Sequence, residues 1–224
     1  LFGTSCQALR GKAGANEWKR PFYFAVTIGN DYHLGLDPYL ELTGLAYRIT
    51  PERSKDGRPR VNTEVMYDNM LHKFKYGNMN VPGIYIDENT MRMCRTHRMM
   101  FFELIEALYN EGKRDKCLEV LDFAEEVLPG YNIPYDYTSA SMAQYYYQLG
   151  EIEKGNAIMT KVADTCAEYL MWGASLDKDN RAAAQSTLGH QSAILGYVLQ
   201  TLERYQQKDL FNQYYDIYAQ YASR

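Results

Sequence analysis

Residues 109–129, "YNEGKRDKCLEVLDFAEEVLP", decide the fold because their spacing recurs farther along the chain. Gly112 is followed at gaps of five, four, three and five positions by Cys117, Leu121, Ala124 and Pro129. Gly150 is followed at the same gaps by Gly155, Met159, Val162 and Ala167. The positions before the glycines also correspond: Phe101, Leu104, Ile105 and Leu108 in the first copy, and Ser139, Met142, Ala143 and Tyr146 in the second. The repeated spacing predicts two helical hairpins in tandem.

This pattern resembles the tetratricopeptide repeat, in which pairs of helices stack into a superhelix. A small residue at Cys117 or Gly155 allows the second helix of a pair to approach the first closely. Gly112 and Gly150 suit helix C-termini, where a left-handed backbone favours glycine. The two glycines are 38 residues apart, whereas the family repeats at about 34 residues. The alternative is two ordinary amphipathic hairpins whose spacing agrees by coincidence.

A third, degraded hairpin follows the two copies. Residues 182–205 have the helical period, and residues 210–222, "LFNQYYDIYAQYA", have the pattern of a partner helix. A terminal repeat is expected to differ from internal ones because its outer face meets water. The segment "WGASLDKDN", residues 172–180, is predicted to be a loop. Six helices are therefore expected from about residue 90 onward.

The first part of the chain has a mixed pattern. Residues 20–28 and 45–51 are rich in aromatic and β-branched residues and predict two strands of a small sheet. "DPYLELTG", residues 37–44, is predicted to be a short helix capped by Asp37, and a longer helix is predicted over residues 63–75. The fold class is therefore mainly α, with an α/β lead-in over residues 1–90 and tetratricopeptide-like helical repeats over residues 91–224. A weak helix is also predicted around Thr4–Gly11.

The bulk composition excludes several classes of function. A net charge of −4 argues against nucleic-acid binding, which needs a concentrated basic face. The four cysteines show neither a disulfide framework nor the spacing of a zinc site, so no metal and no cofactor are predicted. No apolar run reaches the length of a membrane span, and we interpret the start at Leu1 as the edge of a fragment.

A partner-binding surface is predicted on the first helices of the two copies. In tetratricopeptide stacks these helices line a groove that binds peptides or other extended ligands. The corresponding positions here are Phe102, Glu106, Tyr109, Asn110, Tyr137, Gln144, Tyr147 and Gln148. Tyrosine and asparagine suit binding because they are amphipathic or donate hydrogen bonds. The alternative is that these tyrosines pack between helices or against the lead-in.

One turn of the lead-in carries groups capable of acid–base chemistry. "GNDYHLGLDPYLE" contains Asp31, His33, Asp37 and Glu41, which are residue types that transfer protons. No nucleophile motif, phosphate-binding loop or metal spacing accompanies them. Asp31 and Asp37 are also explained as turn and cap residues, so no catalytic residue is assigned.

A more specific resemblance lies in residues 17–51, "EWKRPFYFAVTIGNDYHLGLDPYLELTGLAYRITP". This stretch resembles the start of a soluble tail in a family of uncharacterised bacterial multi-pass membrane proteins. Their amino-terminal membrane half is similar to integral-membrane glycosyltransferases that use lipid-linked sugars. The matching residues are Trp18, Arg20, Pro21, Tyr23, Phe24, Leu36, Tyr39, Leu40, Gly44, Leu45, Tyr47, Arg48 and Pro51.

The resemblance implies a fragment that lies on the extracytoplasmic, periplasmic face of a bacterial inner membrane, with its membrane spans upstream. The expected function is a non-catalytic accessory or interaction domain that binds a protein, a peptide or a glycan. One alternative is a free-standing peptide-binding tetratricopeptide adaptor. A second alternative is an enzyme domain that uses the Asp31, His33 and Asp37 turn. A pocket around His33 with convergent carboxylates would favour the enzyme.

Overall fold

A computed structural model describes residue 11 and residues 21–221, which form two compact units. One unit runs to Asn132 and the other begins at Ile133. The fold is mainly helical with a small sheet near the N terminus, as the sequence predicts. The described sheet has four strands, whereas the sequence indicates two. The helix expected around Thr4–Gly11 lies outside the described residues, except for Gly11. Trp18 and Arg20, two of the residues that carry the family resemblance, also lie outside them.

The first unit is built on the small sheet. Its strands are β1 (Tyr23–Ala25), β2 (Leu40–Leu42), β3 (Ala46–Ile49) and β4 (Arg60–Val61), in the spatial order β1-β3-β2-β4. β3 is antiparallel to both β1 and β2, whereas β4 pairs with β2 in parallel. Leu36, Leu40 and Ile49 form a buried cluster on the sheet, and Phe24, Tyr39 and Tyr47 pack against it.

The predicted helix over residues 37–44 is wrong. Asp37–Tyr39 form a single 3₁₀ turn, and the chain then enters strand β2. "LEL" has a period of two, and all three of its residues are buried between neighbouring strands. Strand pairing on both sides therefore outweighs the helix-start signal of Asp37 and Pro38. Gly44 closes the β2–β3 turn with φ of +137°, and a Cβ there would come within 2.9 Å of the Phe74 ring.

Two helices of the first unit begin at side-chain caps. α1 (Thr63–Asp68) starts at Asn62, whose side chain accepts a hydrogen bond from Val65 N, and a π-helical turn over Asn69–Lys73 extends it. α2 (Glu88–Asn110) starts at Asp87, which accepts from Asn89 N and Thr90 N. α3 (Arg114–Val127) follows after a tight turn.

The first hairpin joins α2 and α3 as the repeat spacing predicts. Gly112 has φ of +75°, which confirms the left-handed turn between the helices. Cys117 is fully buried and its Sγ lies 3.6 Å from Ile105 O, so the small side chain marks the close approach of the two helices.

Over residues 133–221 the second unit consists of four helices, α4 (Tyr137–Leu149), α5 (Ile152–Ser175), α6 (Lys178–Arg204) and α7 (Lys208–Tyr221). A capping box at Asp136 starts α4, and Gly150, with φ of +88°, ends it. α5 packs against each of the other three helices. Counted over residues 88–221, the structure has the six helices that the sequence predicts.

The loop predicted over residues 172–180 is wrong. α5 continues to Ser175 and α6 begins at Lys178, so only Leu176 and Asp177 link them. A Cβ on Gly173 would lie 2.4 Å from the Leu188 side chain, which shows that this glycine serves helix packing and not a turn. Asp177 caps α6 by accepting from the backbone N–H of Asp179 and Asn180.

Candidate functional site

A polar cleft of about 580 Å³ opens in the first unit beside the sheet. The 3₁₀ turns before β2, strand β3, the loop before β4 and helix α2 all contribute to its walls. The polar residues that line it are Asn30, His33, Asp37, Tyr47, Arg58, Arg60 and Glu103. The volume of the cleft is within the range of small-molecule sites, in which a few precisely placed polar groups orient the ligand.

His33 and Asp37 form a hydrogen-bonded pair at this cleft. The His33 ring is 1% exposed, and its Nδ1 lies 2.8 Å from Asp37 Oδ1. Since a carboxylate can only accept, Nδ1 donates, and neutral His33 carries its lone pair on Nε2. Phe24 and Tyr47 hold the ring in place, with centroids 5.6 Å and 5.5 Å from it. The local turn therefore fixes both the position and the tautomer of this histidine.

Tyr47 and Glu103 face the same cleft from different elements. Burial raises the pKa of the Tyr47 phenol, and the charges of Glu103 and Asp37 raise it further. Burial also raises the pKa of the Glu103 carboxyl, with a further contribution from the charge of Glu106. These causes show that acidic groups on the turn and on α2 act on one tyrosine of β3.

Arg60 is held by structural contacts at the edge of this cleft. Its Nε lies 3.1 Å from Glu41 Oε1, its Nη1 lies 3.0 Å from Glu52 Oε2, and its Nη2 donates to Thr50 Oγ1 at 3.2 Å. These contacts tie β4 to β2 and to the loop after β3. The guanidinium is therefore held by contacts within the protein, and two carboxylates balance its charge.

Only two of the four residues of the candidate acid–base turn line the cleft. His33 and Asp37 meet at the cleft, whereas Asp31 is exposed and is not among the residues that line it. Glu41 is 9% exposed and pairs with Arg60. Glu103 was missed by sequence reasoning, because it lies on a helix about seventy residues downstream of the turn. The residues around Glu103 in the sequence give no sign that its side chain lines the cleft.

The predicted partner-binding residues are found on α2 and α4. On α2, Phe102 and Tyr109 are half-buried, whereas Glu106 and Asn110 are exposed. The Arg114 guanidinium lies 5.4 Å from the centre of the Tyr109 ring. These placements leave the prediction for α2 neither confirmed nor contradicted.

On α4 the corresponding side chains take part in packing within the second unit. Tyr147 is 4% exposed, donates to Asn156 Oδ1 at 2.8 Å and stacks on Tyr205 with centroids 4.9 Å apart. Gln144 accepts from the Tyr197 hydroxyl at 3.0 Å, and the exposed Tyr137 contacts the same ring at 4.8 Å. Gln148 is half-buried. α5, α6 and the residue that follows α6 therefore supply partners to much of the predicted surface of α4.

Cysteine and histidine side chains elsewhere have structural contacts. Cys94 is 5% exposed, and His97 bonds through Nδ1 to Met93 O at 2.7 Å. Within residues 21–221, no three His, Cys, Asp or Glu side chains are arranged to hold a metal ion. Over the same residues, no helix is both long and apolar enough to cross a bilayer.

Fold and site together define a mainly helical protein whose N-terminal sheet carries a polar cleft. The family described as TMEM260-associated domain 2 matches residues 13–65, which span the whole sheet and the loops between its strands. Of the seven polar residues that line the cleft, only Glu103 lies outside the match. No curated protein and no solved structure matches the chain.

Proposed function

We propose that this chain is a non-catalytic accessory domain of a membrane-bound, glycosyltransferase-like protein and that its cleft binds a glycan. The domain lies on the extracytoplasmic, periplasmic side of a bacterial inner membrane. The cleft carries the proposal: its polar lining converges on about 580 Å³, and it lies almost entirely in the segment that matches TMEM260-associated domain 2. That segment overlaps residues 17–51, which resemble the soluble tail of glycosyltransferase-like membrane proteins.

The chemistry of the cleft suits a sugar better than a peptide. Sugar hydroxyls donate and accept hydrogen bonds in fixed directions. Carboxylates accept such bonds, and imidazoles and amides both donate and accept them. Asn30, Asp37 and Glu103 supply such groups, and Tyr47 adds an aromatic ring for the apolar face of a pyranose. By contrast, Tyr147, which a peptide groove would use, is buried by intramolecular contacts.

Binding of soluble glycosides to the whole chain tests this proposal. A panel of methyl glycosides of glucose, galactose, mannose and N-acetylglucosamine is titrated and followed by ligand-observed NMR. At least one glycoside is expected to bind, and the double variant Asp37→Ala, Glu103→Ala is expected to lose that binding. A matched control changes Asp115 and Glu126 of α3, two exposed carboxylates away from the cleft. Equal binding by the cleft and control variants would contradict the assignment.

The location is tested with the natural full-length protein in bacterial cells. A protease site inserted between Leu176 and Asp177, in the link between α5 and α6, is expected to be cut once the outer membrane is permeabilised. Cleavage only after the inner membrane is also broken would place the domain in the cytoplasm and contradict the proposal.

We also propose that the hairpins α2–α3 and α4–α5 are tetratricopeptide-type repeats. Gly112 and Gly150 adopt the left-handed turn at equivalent positions, and Cys117 and Gly155 are buried where the paired helices approach. Distances between spin labels across each hairpin, from α2 to α3 and from α4 to α5, test this. Matching narrow distributions for equivalent label positions in the two hairpins would support it, and different distributions would overturn it.

A second candidate function is an enzyme domain at the same cleft. The observation that favours it is the His33–Asp37 pair beside Glu103, whose raised pKa suits a proton donor. Product analysis separates the candidates, because an enzyme consumes a bound glycoside whereas an accessory domain returns it unchanged. Asp37→Asn would abolish such turnover and leave binding largely intact.

A further inference from the structure

Three polar groups at the cleft have no hydrogen-bond partner among the residues that the structure describes. His33 Nε2 is buried and unpartnered. The Tyr47 hydroxyl and the Glu103 carboxyl line the same cleft without a partner in that part of the chain. Most buried polar groups in proteins are paired, and an unpaired one costs about 1–3 kcal/mol. Tyr47 and Glu103 are only half-buried and can meet water, so this cost applies to His33 Nε2 alone. A buried, unpaired nitrogen in the wall of a cleft points to a ligand that satisfies it.

The Asp37 carboxylate decides what His33 can recognise. Because Nδ1 donates to Asp37, the neutral ring presents Nε2 only as an acceptor. A ligand atom that meets Nε2 must therefore donate a hydrogen bond, as a hydroxyl does. A carboxylate or sulfate oxygen cannot donate, and it would leave Nε2 of the neutral ring unsatisfied.

Glu103 adds a second acceptor and a negative charge. An ionised carboxyl accepts hydrogen bonds from hydroxyls and repels another anion in a site that is partly shielded from water. Asp37 contributes a second negative charge at the same cleft, and the Arg60 guanidinium is already balanced by Glu41 and Glu52. The exposed Arg58 guanidinium offsets one of these two negative charges, so the lining keeps a net negative charge when both carboxyls are ionised. The Tyr47 hydroxyl both donates and accepts, so it fits either role of a neighbouring sugar hydroxyl.

We propose that the cleft selects a neutral, hydroxyl-bearing sugar over an acidic one, with His33 Nε2 and the Glu103 carboxyl each accepting a hydrogen bond from a sugar hydroxyl. This inference rests on the proposed function, because it names the class of glycan that the same site binds. Glu103 is the specificity-determining residue, and α2 supplies it from outside the segment that matches the family.

The test compares matched ligands with and without a charge. Methyl glucoside and methyl glucuronoside differ only at the sixth carbon, and each of the other hexosides in the panel has its uronate counterpart. Wild-type protein is expected to bind the neutral member at least about tenfold more tightly, the loss that one hydrogen bond and a like charge produce. Glu103→Gln is expected to reduce this preference to about twofold. Glu88→Gln, an exposed change on the same helix, is expected to leave it unchanged.

His33 is tested without substitution, because its ring is buried and a variant of it could fail to fold. Long-range ¹H–¹⁵N spectra report each imidazole nitrogen, and His72, His97 and His190 serve as internal controls. In the ligand-free protein His33 is expected as the Nδ1–H tautomer. On addition of the neutral glycoside, its Nε2 signal is expected to shift while the control histidines do not change.

The outcomes separate the inference from the proposed function. If no glycoside of either kind binds, the proposed function fails and the inference fails with it. If uronates bind as tightly as neutral sugars, or if Glu103→Gln keeps the full preference, the selectivity is overturned while glycan binding stands. If cleft amides respond to the sugar while His33 Nε2 does not, a buried water satisfies that nitrogen and its proposed role is overturned.

Discussion

Replacing Gly155 by alanine tests the packing that underlies the second hairpin. A Cβ at this position would lie 2.7, 2.9 and 3.0 Å from three atoms of the Tyr147 ring, closer than packed carbon atoms normally approach. The ring has little room to move, because it stacks on Tyr205 and its hydroxyl is bonded to Asn156. Asn156 is in turn bonded to Gln207 at 2.9 Å.

The magnitude follows from two opposing effects. Overpacking of a buried contact costs about 1–3 kcal/mol, and alanine in place of glycine inside a helix returns about 0.5–1 kcal/mol. Gly155→Ala is therefore expected to lower the free energy of unfolding by about 1–2 kcal/mol, or Tm by about 2–8 °C for a chain of this size. Urea unfolding followed by circular dichroism measures the change.

The matched control is Gly189→Ala in α6. A Cβ there meets nothing within 4 Å, so only the helix-propensity gain applies and the variant is expected to be more stable by about 0.5–1 kcal/mol. In a Tyr147→Leu background, Gly155→Ala is expected not to lower the free energy of unfolding. A stabilising effect of Gly155→Ala in the wild-type background would refute the close approach of α4 and α5.

Three further predictions concern capping, ionisation and thiol reactivity. Asp136→Ala removes the capping box of α4 and is expected to cost about 1 kcal/mol in urea unfolding, whereas Asp136→Asn is expected to retain most of that stability. Because burial raises the pKa of Glu103, its ionised form destabilises the folded state, and this penalty grows as pH rises through the folded-state pKa. Glu103→Gln is therefore expected to raise the urea midpoint at about pH 8 and to leave it nearly unchanged at about pH 3; an equal shift at both would point to another cause. Burial raises the pKa of Cys117 to about 11 and that of Cys166 to about 12, so neither thiol is expected to react with iodoacetamide at neutral pH until urea unfolds the chain, and fast labelling of the native protein would contradict their burial.

Helix ends could be predicted from the sequence where the backbone conformation at the end favours one residue type. Gly112 and Gly150 indicate helix ends because a left-handed backbone is cheap only for glycine. Gly173 shows the limit of that rule. It lies inside α5, where the absence of a Cβ admits Leu188, and no local pattern distinguishes this use of glycine from a turn.

The cleft was only half predictable. The turn that contains His33 and Asp37 stands out as a cluster of titratable residues, and their i, i+4 spacing allows the observed hydrogen bond. Glu103 joins them through the packing of α2 beside the sheet, which local sequence does not encode. Strand β2 was missed for the same reason, because its stability comes from pairing with β3 and β4 and not from its own three residues.

The most direct test of the account is a ¹H–¹⁵N titration of the whole chain with the neutral methyl glycoside that binds most tightly. Saturable shifts are expected at amides around the cleft, such as Asn30, Gly57 and Val61, and none at Gly189 on α6. Shifts that cluster on α4, or no saturable shift with any neutral glycoside, would contradict the conclusion that this cleft is a sugar-binding site.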